Sequence, residues 1–140
     1  MLHDLQYFIL KYYNNKIFDY LKTRTSLIQL IDGNSISSEL ELSEAIRKTD
    51  RYLEHNGKIH FPGTVLLMYL AHTNQINVAI NRCGINPDTQ SGVVVYSNRE
   101  DLDFLIEGGY IKLTERFIPY DLPRKDFEVF SSMARLETMI

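Results

Sequence analysis

Residues 38–56 read SELELSEAIRKTDRYLEHN and carry the strongest helical signal in the chain. Ser38 and Glu41 have the spacing of a capping box, in which each side chain accepts a hydrogen bond from a backbone N–H at the helix start. Asn56 and Gly57 supply the left-handed stop that commonly ends a helix. The apolar or small residues that share one helical face are Leu42, Ala45, Ile46, Thr49 and Leu53. The pattern predicts an amphipathic helix over 38–56.

Strand-forming segments lie on both sides of this helix. They are rich in aromatic and β-branched residues, and turn residues such as Asn14-Asn15 and Asp32-Gly33 follow the first two. The predicted strands are Leu5–Tyr13, Ser26–Ile31, Gly92–Tyr96 and Tyr110–Leu113.

Further helices alternate with these strands. One helix is predicted over Ile17–Thr25, and another from a cap at Thr73 or Asn74 to a stop at Gly84. A third is predicted from a second capping box at Ser97 and Glu100 to Gly108-Gly109, and the last is a C-terminal amphipathic segment with Pro123 at its first position. Thr64–Ala71 is apolar without a readable period, so helix and strand both remain open there, and its Leu, Met and Ala content favours a helix. This order predicts an α+β fold: one domain over residues 1–140, with a mixed β-sheet of about four strands and helices packed on it.

The composition is that of an ordinary globular protein of 140 residues. The one cysteine, Cys83, leaves no internal disulfide and no Cys-based zinc site, which favours a reducing, cytoplasmic setting. The apolar N-terminal stretch is interrupted by Asp4, Gln6 and Lys11, so it does not resemble a signal peptide. No apolar run approaches the roughly 20 residues of a membrane span, and we expect no membrane contact.

The net charge of −3 counts against a dedicated nucleic-acid binder, which is usually strongly basic. This mean hides an uneven distribution. Residues 45–84 contain five Lys and Arg against two Asp and Glu, a local charge of +3, whereas residues 85–107 contain one against five, a local charge of −4. A weak nucleic-acid contact is compatible with the first of these segments.

No set of residues with the pattern of a catalytic, metal or cofactor site is present. The chain has no Gly-rich phosphate loop, and none of its four histidines pairs with another at helical spacing. Cys83 falls at the C-terminal end of its helix, where nothing activates a thiolate. Glu100, Asp101 and Asp103 have the first-turn placement that complements a helix dipole. The residues alone therefore identify no candidate catalytic group and predict no cofactor or metal.

The central segment resembles a known family. GKIHFPGTVLLMYLAHTNQINVAINRCGI over residues 57–85, followed by GVVVYSN from Gly92, is similar to the PRPK-binding protein family, the small kinase-binding subunit of the KEOPS (EKC) complex. The places that carry the likeness are Asn74-Gln75-Ile76, Ala79-Ile80 and Gly84-Ile85. The likeness covers about residues 26–97, and the short chain is closer to archaeal members than to eukaryotic ones.

The resemblance implies a non-catalytic subunit with two partners. One is the small atypical kinase/ATPase of KEOPS, and the other is tRNA, held by its 3′ CCA end while the complex makes threonylcarbamoyladenosine. Two positions depart from the family pattern, since His60 and Val65 stand near places where relatives often carry Arg and Glu.

Exposed apolar helix faces are the expected kinase contacts. The predicted kinase-binding residues are Asn74, Gln75, Ile76, Ala79, Ile80, Met133 and Ala134. The alternative is that most of these residues cover the domain's own sheet, with only two or three at an interface. The predicted tRNA-binding residues are Lys58, His60, His72 and Arg82, with Asn74 and Gln75 as hydrogen-bonding neighbours.

Two other functions remain open from the sequence. A small enzyme or ligand-binding domain would need His60, His72 and Cys83 to converge in one pocket. An independent RNA-binding module would bind tRNA without any kinase.

Overall fold

A computed structural model of the protein describes residues 4–55, 57–115 and 126–140, with side chains in the last range described from Ser132 onward. The elements in chain order are β1 (Asp4–Leu10), α1 (Asn15–Thr23), β2 (Ile28–Asp32), a 3₁₀ turn (Gly33–Ser35), α2 (Glu39–Glu54), α3 (Pro62–Ala71), α4 (Ile76–Cys83), β3 (Ser91–Tyr96), α5 (Arg99–Glu107), β4 (Ile111–Thr114) and α6 (Asp126–Met139). Pro123, which is predicted to open the last helix, lies outside the described residues.

The four strands form one sheet in the order β2-β3-β1-β4, and each neighbouring pair is antiparallel. The α+β class with four strands is confirmed. The described sheet is antiparallel rather than mixed, because β3 lies between β1 and β2. These two strands run in the same direction but are not neighbours, and α1 connects them across the gap.

Helices cover both faces of the sheet. Tyr7 lies opposite Val93 in the β1–β3 ladder, and both pack in the cluster that α2, α3, α4 and α6 share. The next residues along, Phe8 and Val94, point to the other face and pack with α1 and α5. The result is three layers with a core on each side of the sheet.

Helix α3 is the centre of the first core, and every residue from Pro62 to Ala71 is buried. It contacts α2, α4, α6 and β2. A helix that is apolar on all sides shows no amphipathic period, which explains why the sequence left Thr64–Ala71 open between helix and strand. The helical preference is confirmed.

Ser38 caps the start of α2, as the spacing predicts. Its hydroxyl accepts a hydrogen bond from the Glu41 N–H at 3.0 Å, and the Glu41 carboxylate accepts one from the Ser37 N–H at 3.0 Å. The predicted cap of α5 at Ser97 is wrong by one residue. The Asn98 side chain accepts from the Glu100 N–H instead, since asparagine caps helices as well as serine does.

The predicted cap of α4 is also displaced. The N-cap is Gln75, whose own side chain makes no capping bond, and the Thr73 hydroxyl accepts a hydrogen bond from the Gln75 N–H at 3.1 Å. Thr73 therefore shapes the turn that leads into α4 without capping it.

Candidate functional site

The turn between α3 and α4 is the most unusual backbone in the described chain. His72 ends α3 with φ of 56°, and within the described ranges it is the one non-glycine residue with positive φ. This left-handed conformation brings Cβ close to the following carbonyl and is usually reserved for glycine, although histidine tolerates it better than most residues. A strained residue that is not glycine is a reason to look for function at the same place.

Arg82 comes back from α4 to the same turn. Its Nη1 donates a hydrogen bond to the carbonyl oxygen of Ala71 at 3.2 Å, directly before His72. A guanidinium there complements the negative end of the α3 dipole and satisfies one of its terminal carbonyls. The two predicted tRNA-binding residues His72 and Arg82 therefore lie together, beside the exposed Asn74 and Gln75.

The other two predicted tRNA-binding residues lie at the opposite end of α3. Lys58 and His60 are both exposed in the loop before Pro62. Because α3 has ten residues, the two pairs are separated by roughly 15 Å along its axis. The structure thus divides the predicted set into two pairs instead of one cluster.

Lys58 belongs to a second polar surface that the sequence analysis did not identify. It lines an open groove of about 380 Å³ together with Arg51, His55 and Glu137. Arg51 and His55 are four residues apart on α2, so helical spacing alone would have placed them on one face. Their meeting with Glu137 of α6 depends on tertiary packing.

Glu137 pairs with two cations of α2, Lys48 and the groove residue Arg51, and fastens α6 to α2. Its carboxylate accepts from the Lys48 ammonium at 2.8 Å and from the Arg51 guanidinium at 3.2 Å. Burial raises the pKa of Glu137, but the hydrogen bond from Lys48 and the charges of Lys48 and Arg51 outweigh it, so the pKa lies below its ordinary value. Much of the positive charge predicted for this segment is therefore paired internally.

The predicted kinase-binding residues divide by burial. Ala79 and Met133 are fully buried in the core around α3, and Ile80 packs partly against it. These three agree with the alternative that the apolar faces of α4 and α6 cover the domain itself. The exposed members of the predicted set are Asn74, Gln75, Ile76 and Ala134.

The histidines and the cysteine do not converge as an enzyme site would need. His60 and His72 lie before and after α3, and Cys83 is 3% exposed. No group of three or more His, Cys, Asp and Glu side chains that could hold a metal ion occurs in the part of the chain that the structure describes. The small-enzyme alternative built on these three residues is therefore wrong.

Asp101 differs from its acidic neighbours at the start of α5. It is fully buried, and its carboxylate accepts hydrogen bonds from the hydroxyls of Tyr20 and Ser26, each at 2.6 Å. The same carboxylate forms an ion pair with the Arg24 guanidinium at 2.9 Å. All three donors come from α1 or the segment that follows it, so Asp101 ties α5 to that connection. This arrangement is structural.

A match to a family model over most of the chain decides its family. Residues 10–123 match the model described as kinase binding protein CGI-121, which is well over half of the chain. The chain belongs to the CGI-121 family. The resemblance to the PRPK-binding protein family is thereby confirmed. No curated protein matches the chain.

The CGI-121 match covers the parts of the fold described above. It begins at the last residue of β1 and includes β2, β3, β4 and the helices α1 to α5. Both ends of α3, and therefore both pairs of predicted tRNA-binding residues, lie inside it. No helix among the described residues combines the length and the apolar character needed to cross a membrane.

Proposed function

We propose that this protein is the kinase-binding, non-catalytic subunit of a KEOPS complex and that it also contacts the 3′ CCA end of tRNA. Membership in the CGI-121 kinase-binding family is the observation that carries the proposal. The small atypical kinase of the complex is the proposed protein partner, and support for threonylcarbamoyladenosine formation in the cytoplasm is the proposed role.

The α3–α4 turn is the proposed tRNA contact. His72 and Arg82 offer ring and guanidinium planes for base stacking, and Asn74 and Gln75 offer donors and acceptors for base edges, which are the contacts that unpaired RNA ends use. A functional reason for His72 would account for a side chain at a position that favours glycine. Lys58 and His60 are proposed to contact phosphates further along the strand.

Comigration with the cognate kinase tests the first half of the proposal. We expect the protein and the kinase, mixed at micromolar concentration, to elute from a sizing column as one peak. Ile76, which is 42% exposed, is the apolar contact we propose in the predicted set, and the other exposed members are Asn74, Gln75 and Ala134. Two separate peaks would refute kinase binding.

A gel shift tests the second half. We expect intact tRNA to bind more tightly than the same tRNA without its CCA end, and we expect higher salt to weaken binding. His72→Asn is the informative variant, because asparagine also tolerates the left-handed backbone but has no ring to stack. Lys112→Gln is the control, because Lys112 is exposed on β4, at the sheet edge opposite β2. Equal affinity for both tRNAs would refute CCA recognition.

An independent RNA-binding module remains the alternative. It predicts tight tRNA binding by the protein alone and no complex with the kinase. The internal pairing of Lys48 and Arg51 with Glu137 does not favour such a module, because those cations are already neutralised in part.

A further inference from the structure

The loop that carries Lys58 is bonded to one tyrosine of α2 on both sides of the lysine. The N–H of Gly57 donates to the backbone carbonyl oxygen of Tyr52 at 3.2 Å. The N–H of Ile59 donates to the hydroxyl of the same tyrosine at 2.9 Å. The two residues that flank Lys58 are therefore fixed to Tyr52, one through its backbone and the other through its side chain.

Gly57 also lies directly against the Tyr52 ring. A Cβ at this position would overlap Cε1 and Cζ of the ring, so the loop needs a glycine to approach so closely. Tyr52 is 9% exposed and packs in the core around α3. The 57–59 loop therefore rests on a side chain that the core itself holds in place.

Lys58 differs from its neighbours in the loop. It is exposed, whereas the residues before and after it are partly buried, and it makes no ion pair within the described part of the chain. Glu137, the carboxylate that lines the same groove, is already paired with Lys48 and Arg51. A lysine without a counter-ion on an ordered backbone is suited to bind an anion, because less conformational freedom is lost on binding.

The hydroxyl of Tyr52 serves the loop and not the core. Phenylalanine has the same ring and would fill the same space, so the hydroxyl contributes only its bond to the Ile59 N–H. Tyr69 on α3 provides a comparison, because it is fully buried and its hydroxyl has no hydrogen-bond partner among the described residues. Replacement of each tyrosine by phenylalanine therefore separates the loss of a hydroxyl from the loss of the bond to the loop.

We propose that Tyr52 is a positioning residue for tRNA binding, which holds the 57–59 loop so that the Lys58 ammonium meets a phosphate of the bound strand. The inference rests on the proposed tRNA contact and adds to it a residue that acts through Lys58. Order in the loop before binding lowers the entropy cost of the phosphate contact, so affinity depends on the bond to Tyr52 as well as on the charge.

A double-mutant cycle on tRNA affinity tests the proposal, with the Kd measured by gel shift at several salt concentrations. We expect Lys58→Gln to weaken binding and to reduce the slope of log K against log salt by about 0.7–1, the loss of one phosphate contact. Tyr52→Phe should raise the Kd about threefold to tenfold when Lys58 is present. In the Lys58→Gln background the same change should alter the Kd by less than about 1.5-fold, because the positioned ammonium is gone.

Tyr69→Phe and Lys112→Gln are the matched controls. Tyr69→Phe removes a buried hydroxyl that makes no such bond and should keep the Kd within about 1.5-fold. In the Lys112→Gln background Tyr52→Phe should retain its full effect, because Lys112 is an exposed lysine of β4 and not of this loop. Gly57→Ala displaces the loop by a different route, and its effect on the Kd should likewise disappear when Lys58 is replaced.

The outcomes separate the positioning role from the proposed function. If the unaltered protein binds tRNA equally well with and without its CCA end, the proposed function fails and this inference fails with it. If CCA-dependent binding is present but Lys58→Gln or Tyr52→Phe leaves the Kd unchanged, the positioning role is overturned while the function stands. The same conclusion follows if Tyr52→Phe weakens binding equally with and without Lys58.

Discussion

Replacement of Asp101 by asparagine is the sharpest test of the internal architecture. The amide keeps the shape of the carboxylate and one acceptor oxygen, and the hydroxyls of Tyr20 and Ser26 can rotate to accept from its NH₂ group. Arg24 can only donate, but it binds the same carboxylate oxygen as Tyr20, so the amide oxygen can still face it. The variant therefore loses the negative charge that pairs with Arg24 in a fully buried position.

The expected loss of unfolding free energy is about 2 kcal/mol. Hydrogen bonds to charged groups contribute about 1.5–3 kcal/mol, and the Arg24 side chain is 41% exposed, so water replaces part of what it loses. For a chain of this size the midpoint should fall by about 4–8 °C. Urea unfolding at pH 7 measures the free energy, and thermal unfolding measures the midpoint.

A double-mutant cycle with Arg24→Gln isolates the pair. We expect a coupling energy of about 1 kcal/mol, since the two side chains are in direct contact. Glu107→Gln removes the same charge from an exposed position on α5 and should stay within about 0.5 kcal/mol of the unaltered protein. A loss below 0.5 kcal/mol for Asp101→Asn, or strict additivity with Arg24→Gln, would refute the assigned role.

Three other outcomes are expected. Burial raises the pKa of Tyr20 and of Tyr69 to about 12, above the unfolded value of 10.0. Their contribution to the free energy of unfolding is therefore complete below pH 10 and should disappear between pH 10 and 12, as measured by urea unfolding. Replacement of both tyrosines by phenylalanine should flatten that decline. Glu137→Gln should lower the free energy of unfolding by about 1.5–3 kcal/mol at pH 7, because it removes the partner of buried Lys48. The difference in unfolding free energy between this variant and the unaltered protein should shrink as the pH falls below 4.5, because the folded pKa of the Glu137 carboxyl is lowered. Gly92→Ala places a Cβ against the Ile31 carbonyl oxygen of β2 and should cost about 3 kcal/mol, read as a lower thermal midpoint. An unchanged midpoint would mean that β2 and β3 can shift to accommodate the methyl group.

Local signals in the sequence were enough to find most elements. The box at Ser38 and Glu41, the valine run of β3 and the glycines after α5 all act within a few residues, and each marks an element that the structure contains. Errors of one or two residues at helix starts come from competing caps, as with Ser97 and Asn98.

Long-range pairing was not readable in the same way. The position of β3 between β1 and β2 cannot be predicted from local patterns, because the same three apolar strands could be arranged in the sheet in several orders. Glu137 looks like an ordinary surface carboxylate of a C-terminal helix, and only its approach to Lys48 reveals its role. Only part of the candidate site could be predicted, for the same reason. His72 and Arg82 are ten residues apart in the chain and meet at one turn, as a single site requires. Lys58 and His60 were predicted to join them but are separated from them by the length of α3.

The position of β3 also constrains how this chain folds while it is being made. β1 and β2 leave the ribosome first, but neither has its main hydrogen-bonding neighbour until residues 91–96 have been synthesised. Until then two apolar strands have unpaired edges, which is the state in which nascent chains associate wrongly. Termination of synthesis in the loop between α4 and β3 is therefore expected to abolish the whole sheet and both cores, instead of releasing a smaller folded unit.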